Sequence, residues 1–130
     1  MPANALIAYI GSVLSVPMTV IETPSFLREA ASVLNEDERS EAVFFLASNP
    51  EAGDIMPDTG GGRKLRWRAP GRGKRGGLRV IYYYHNASMP LFLLNVFAKN
   101  ERANLTKAER NEMKALLPRL VAGYRRRMAQ

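Results

Sequence analysis

Between Arg63 and Arg79 the chain carries eight basic residues and no acid. Three of them alternate: Lys64, Arg66 and Arg68 fall on one side of an extended segment, Leu65 and Trp67 on the other. Same-face neighbours on a strand stand about 7 Å apart, close to the repeat of a polynucleotide backbone. A strand face that is merely solvated mixes its signs, so this row reads as a surface for a polyanion such as nucleic acid. The remaining inventory narrows the chemistry. Zero cysteines exclude thiol catalysis, zinc ribbons, iron–sulfur clusters and disulfide frameworks. A single histidine, His85, argues against a zinc site and excludes a two-histidine acid/base pair. No carboxylate cluster suited to magnesium is evident, and no cofactor is expected.

These residues must be positioned by a chain of 130 residues, long enough for one domain and, at 46% hydrophobic residues, for one real core. Charge is distributed unevenly. Residues 1–62 hold nine acids and two bases, residues 63–130 three acids and 17 bases. Residues 5–16 form the longest apolar run, too short to span a bilayer. The first Lys or Arg is Arg28, so the positive flank of a secretory signal is missing. The expectation is an N-terminal extension over 1–17, or a short helix packed on the domain or a second subunit, then a single domain over 18–130. With no export or membrane signal, the expected compartment is the cytoplasm.

Periodicity supplies the elements. Thr19 to Glu22 is a short β-type run. Thr23-Pro24 opens an amphipathic helix over about 24–34. Asn35 with Glu38 forms a capping box for a second helix, stopped by Asn49-Pro50. Residues 49–62 are turn-rich. Strands follow at 63–68, 78–84 and 91–98, the last nearly continuously apolar and hence central. Thr106 with Glu109 caps a final helix, which Pro118 should kink or break near Leu117. The order β-α-α-β-β-β-α implies an α+β domain: a small antiparallel sheet with a two-helix hairpin on one face and a C-terminal helix.

That order, together with Asn49 to Asp54, Gly60-Gly61-Gly62-Arg63-Lys64-Leu65-Arg66-Trp67, Gly71 to Tyr83 and Phe97 to Thr106, resembles the RelE/HigB family of bacterial toxin–antitoxin toxins. The likeness spans about 18–117. It implies a RelE-like fold and a ribosome-dependent mRNA endonuclease that inhibits translation and is neutralised by a cognate antitoxin. RNA is cleaved when its own 2′-hydroxyl attacks the adjacent phosphorus, and cationic side chains suffice to stabilise the added charge without a metal. The family has basic strand residues at the positions of Lys64 and Arg66 and an arginine at that of Arg79. Lys64 is assigned to proton transfer or electrostatics, Arg66 and Arg79 to gripping the scissile phosphate, and Lys99 to a further basic position.

Arg63, Arg68, Arg72, Lys74, Arg75 and Arg102 complete an expected RNA-binding surface, with Tyr83 as a base-stacking candidate and His85 on the same face. Two positions depart from the family pattern. Asn100 stands where some members have arginine, and Thr106 replaces a tyrosine near the last helix. The loss of that tyrosine favours an alternative, a non-catalytic RNA- or ribosome-binding module. A DNA-binding regulator is the third reading, weakened by the lack of a helix-turn-helix signal.

Overall fold

The structure is a computed structural model that describes residues 16–68, 77–102 and 104–129. Residues 1–15 of the expected extension, and Arg72, Lys74 and Arg75 of the expected RNA-binding surface, lie outside the described residues. The elements are β1 (Val20–Glu22), α1 (Pro24–Val33), α2 (Glu36–Ser48), β2 (Asp54–Ile55), β3 (Arg63–Trp67), β4 (Leu78–Tyr83), β5 (Leu91–Ala98) and α3 (Lys107–Met128). They form an α+β domain around one five-stranded sheet in the order β1-β5-β4-β3-β2.

β4 is buried at every residue, because both of its faces are covered. On one face Leu65, Val80, Tyr82, Leu91, Leu93 and Val96 pack with Phe26, Ala30, Leu34 and Leu46 of the α1–α2 hairpin. On the other, Ile81, Tyr83, Phe92, Leu94 and Phe97 pack beneath Met113, Leu117 and Val121 of α3. Strand alternation therefore sorts two apolar layers; Lys64 and Arg66 of β3 share the α3 face, and Arg63, opposite Tyr82, lies on the other.

The sheet departs from the expected antiparallel meander in two places. β1 pairs with β5 in parallel, fixed by Leu91 N donating to Thr19 O (2.9 Å) and Thr23 N donating to Leu93 O (3.1 Å). The Thr23 hydroxyl donates to the same Leu93 carbonyl at 2.7 Å and accepts from Phe26 N at 3.2 Å, so one side chain caps α1 and ties it to the sheet. β2 is a two-residue edge strand within the segment read as turns. α3 differs too. It runs unbroken through Pro118, whose missing N–H leaves the carbonyl of Lys114 without a helical partner. Both residues are exposed, so water can take that carbonyl.

The 50–62 segment is held from the core. Tyr82, fully buried, donates its hydroxyl to Pro50 O (2.9 Å) and accepts from Gly53 N (2.7 Å). Gly53 is required there: a Cβ would stand 2.8 Å from Tyr82 Cε1. Further along, buried Thr59 donates to Met56 O (2.8 Å) and accepts from Gly62 N (2.9 Å). The start of α3 is clamped as well. Thr106 and Glu109 form the expected capping box, and Arg102 Nη1 meets both Glu109 carboxylate oxygens at 2.8 and 2.9 Å. Arg102 also lies over the Phe97 ring, 4.4 Å from its centre.

Two measurements check these supports. Tyr82→Phe strands the buried Gly53 N–H and should lower the urea unfolding free energy by about 1–3 kcal/mol, with an unchanged denaturant slope. For Glu109, partial burial raises the carboxyl pKa, but the Thr106 N–H and Arg102 guanidinium outweigh it and hold it below its ordinary value. Its contribution to stability is thus complete above the ordinary carboxylate range and lost as pH falls through the depressed value. The acid limb of a stability–pH curve should flatten in Glu109→Gln.

Candidate functional site: a cationic pocket at one end of the sheet

Pairing of β3 with β4 sets Arg66 directly opposite Arg79 and Lys64 opposite Ile81. Arg66 and Arg79 meet Arg68, Trp67, Gly77 and Lys99 around a pocket of about 190 Å³. Three segments of chain converge here. β3 ends with Trp67, whose ring packs 5.3 Å from Phe45 of α2 and anchors the strand. β4 begins after Gly77, where a Cβ would lie 3.2 Å from Trp67 O and 3.7 Å from Arg79 Nη1. The turn after β5 is closed by Lys99 N donating to Gly77 O at 3.1 Å. Among the described residues four cations line the pocket and no carboxylate does.

Arg79 is the unusual member. It is 7% exposed, and among the described residues its guanidinium has one hydrogen bond, a long one of 3.3 Å from Nη1 to the Leu78 carbonyl. Among those residues no carboxylate pairs with it. A charge taken from water without a partner is costly, and a like charge opposite it on the neighbouring strand adds repulsion. An anion in the pocket relieves both.

Lys64 stands on the same face but outside the pocket lining. Its Nζ donates to Asn104 Oδ1 at 2.7 Å, which fixes the ammonium between β3 and the loop leading to α3. Sequence reasoning misses Asn104 because an amide in a polar loop carries no periodic signal. It lies two residues along the chain from Arg102, which pairs with Glu109 at the start of α3.

Other candidate residues are placed elsewhere. Arg63 Nη1 donates to Gly53 O (2.8 Å) and Glu51 O (3.3 Å), bracing the loop before β2. Arg102 is engaged with Glu109 and Phe97. Tyr83 is 8% exposed within the α3-side core, so its ring offers no open face for a base. Burial raises the Tyr83 pKa, partly opposed by Arg125. The Tyr83 hydroxyl and His85 Nδ1 are 2.9 Å apart, and Arg125 Nη2 lies 3.4 Å from His85 Nε2. That trio sits by the end of α3, at the opposite end of β4 from Arg79. Thr106 is spent on capping, its oxygen accepting from Glu109 N at 3.1 Å. Among the described residues no group of three or more His, Cys, Asp or Glu is placed to hold a metal, and no helix is long and apolar enough to cross a membrane.

Comparison with known proteins adds the family. The fold is similar to that of E. coli toxin RelE, a mutant with two arginine-to-alanine changes, in the free state: 15% identity, a TM-score of 0.48, and coverage of 66% of this chain and 87% of the other. Residues 18–130 match the family described as the RelE toxin of the RelE/RelB toxin–antitoxin system. The chain belongs to the RelE toxin family.

Proposed function

We propose that this protein is a toxin that cleaves mRNA on the ribosome without a metal ion, and that a cognate antitoxin silences it. The observation that carries the reading is the buried Arg79 guanidinium, without a carboxylate partner among the described residues and facing Arg66 in a pocket lined by four cations. A phosphodiester is the anion that fits an RNA-directed toxin: Arg66 and Arg79 each offer two N–H groups to its non-bridging oxygens. As the 2′-oxygen attacks, charge on those oxygens grows, and donors already in place need no rearrangement to stabilise it. Lys64, oriented by Asn104, supplies a further positive centre and a proton-transfer group for the reacting oxygens. Lys99 and Arg68 neutralise flanking phosphates.

The pocket has few acid/base groups around it, which fits a reaction whose substrate is aligned by a larger machine. The family's RelE/RelB pairing and the basic C-terminal half both support an acidic protein partner. One feature favours a second reading, a non-catalytic RNA- or ribosome-binding module: the Thr106 hydroxyl is committed to its helix cap rather than to a substrate.

Induced expression should arrest growth and cut translated mRNA while naked RNA is mostly spared. Equal cutting of both would overturn the ribosome requirement, and binding without any cutting would select the second reading. EDTA at levels that leave ribosomes intact should not abolish cleavage. Arg79→Ala should stay folded and lose about 10²–10³-fold in cleavage rate, the effect of removing a preorganised oxyanion donor. Asn104→Ala should lower the rate less, leaving Lys64 present but free to wander.

A further inference from the structure

A second concavity, about 440 Å³, adjoins the cationic pocket and shares Arg66 with it. Its size lies within the range of about 300–1,000 Å³ usual for small-molecule sites. Its wall is unlike the first. Ile55, Met56 and Pro57 give an apolar side, Lys64 and Arg66 a cationic one, and Asp54 one carboxylate. Asp54 is exposed and, among the described residues, no hydrogen bond or ion pair occupies its carboxylate, although Lys64 is its partner across the strands. Lys64 reaches instead to Asn104. The wall is held at both ends: the Tyr82 hydroxyl fixes Gly53 just before it, and Thr59 fixes Met56 within it.

We infer that this concavity is a base subsite, which takes the base of a nucleotide next to the phosphate held by Arg66 and Arg79, and that Asp54 selects a base bearing an exocyclic amine. The inference rests on the RNA reading above. A carboxylate close to an RNA phosphate repels it, so Asp54 weakens general binding and contributes only where a donor meets it. Cytosine, adenine and guanine each present an amine N–H₂ to such an acceptor. Uracil presents a single ring N–H between two carbonyl oxygens, so a carboxylate reaching that hydrogen sets its second oxygen against a carbonyl. Ile55 and Pro57 supply the apolar surface for the ring, and shared Arg66 sets the spacing between base and phosphate.

Binding of four RNA pentamers, UUUUU, UUCUU, UUAUU and UUGUU, to the whole protein tests this by fluorescence anisotropy. The three amine-bearing pentamers should bind about tenfold more tightly than UUUUU. Asp54→Asn, at an exposed position and with unchanged melting, should bring that ratio close to one, because an amide can also donate to a uracil carbonyl. Loss of the negative charge adds the same electrostatic gain to all four on top of that change in preference, so the ratio is the quantity read. Equal binding by the wild type, no binding of any pentamer, or a ratio that survives in Asp54→Asn overturns the subsite. Failure of the RNA-cleavage reading would show separately, as pentamers that bind with the stated preference while ribosome-bound mRNA stays uncut.

Discussion

The β3–β4 ladder places two guanidinium groups opposite each other, and the cationic pocket depends on that pairing. Like charges in register on adjacent strands repel, and one of them, Arg79, is almost out of water. A fold maintains such an arrangement only if the rest of the sheet outweighs it. Here the surplus comes from β4 being sandwiched: Val80 and Tyr82 feed one apolar layer, Ile81 and Tyr83 the other. Each fully buried aliphatic or aromatic side chain contributes about 1.5–3 kcal/mol, so four neighbours on one strand offset a strained pair at its start. Local conflict of this kind, set into an otherwise consistent core, is what singles out Arg79 as a candidate functional residue.

The supports around the pocket serve the same end. Gly77 admits the close approach of β4 to the Trp67 carbonyl, and the Lys99 N–H bridges back to Gly77, so the three chain segments carrying cations are joined by backbone rather than by mobile side chains. The Arg102–Glu109 pair and the capping box fix where α3 begins, and with it the loop that brings Asn104 to Lys64. On the opposite flank the buried Tyr82 hydroxyl and Thr59 give the 53–57 segment a defined position. In the RNA reading proposed for this toxin, that rigidity holds donors where negative charge develops.

Much of this was legible in the sequence. Period-two alternation placed Lys64, Arg66 and Arg68 on one face, and the same parity put Arg79 with them once β3 and β4 paired. Capping boxes at Asn35–Glu38 and Thr106–Glu109 set two helix starts to the residue. What escaped has physical causes. β1 joins β5 across some 70 residues, a pairing no local pattern encodes, and β2 is too short for any period to show. Alternation sets Arg63 on the Leu65 side of β3, but only three-dimensional packing reveals that Arg63 braces a loop and that Arg102 clamps a helix. Tyr83 shares the Arg79 face, but α3 covers its end of the strand. Pro118 signals a break by its chemistry, yet an exposed helix side allows water to satisfy the missing bond.

The central claim, that Arg66 and Arg79 together hold an RNA phosphate, is tested most directly by the salt dependence of binding to a single-stranded RNA blocked against cleavage by 2′-deoxy substitution. For single strands the logarithmic slope falls by about 0.7 for each phosphate that the protein ceases to neutralise. The account predicts that Arg79→Ala and the double change Arg66→Ala/Arg79→Ala both weaken binding and flatten that slope, the double change by little more than the single one because the two groups share one phosphate. A slope and affinity unchanged in the double variant would contradict it.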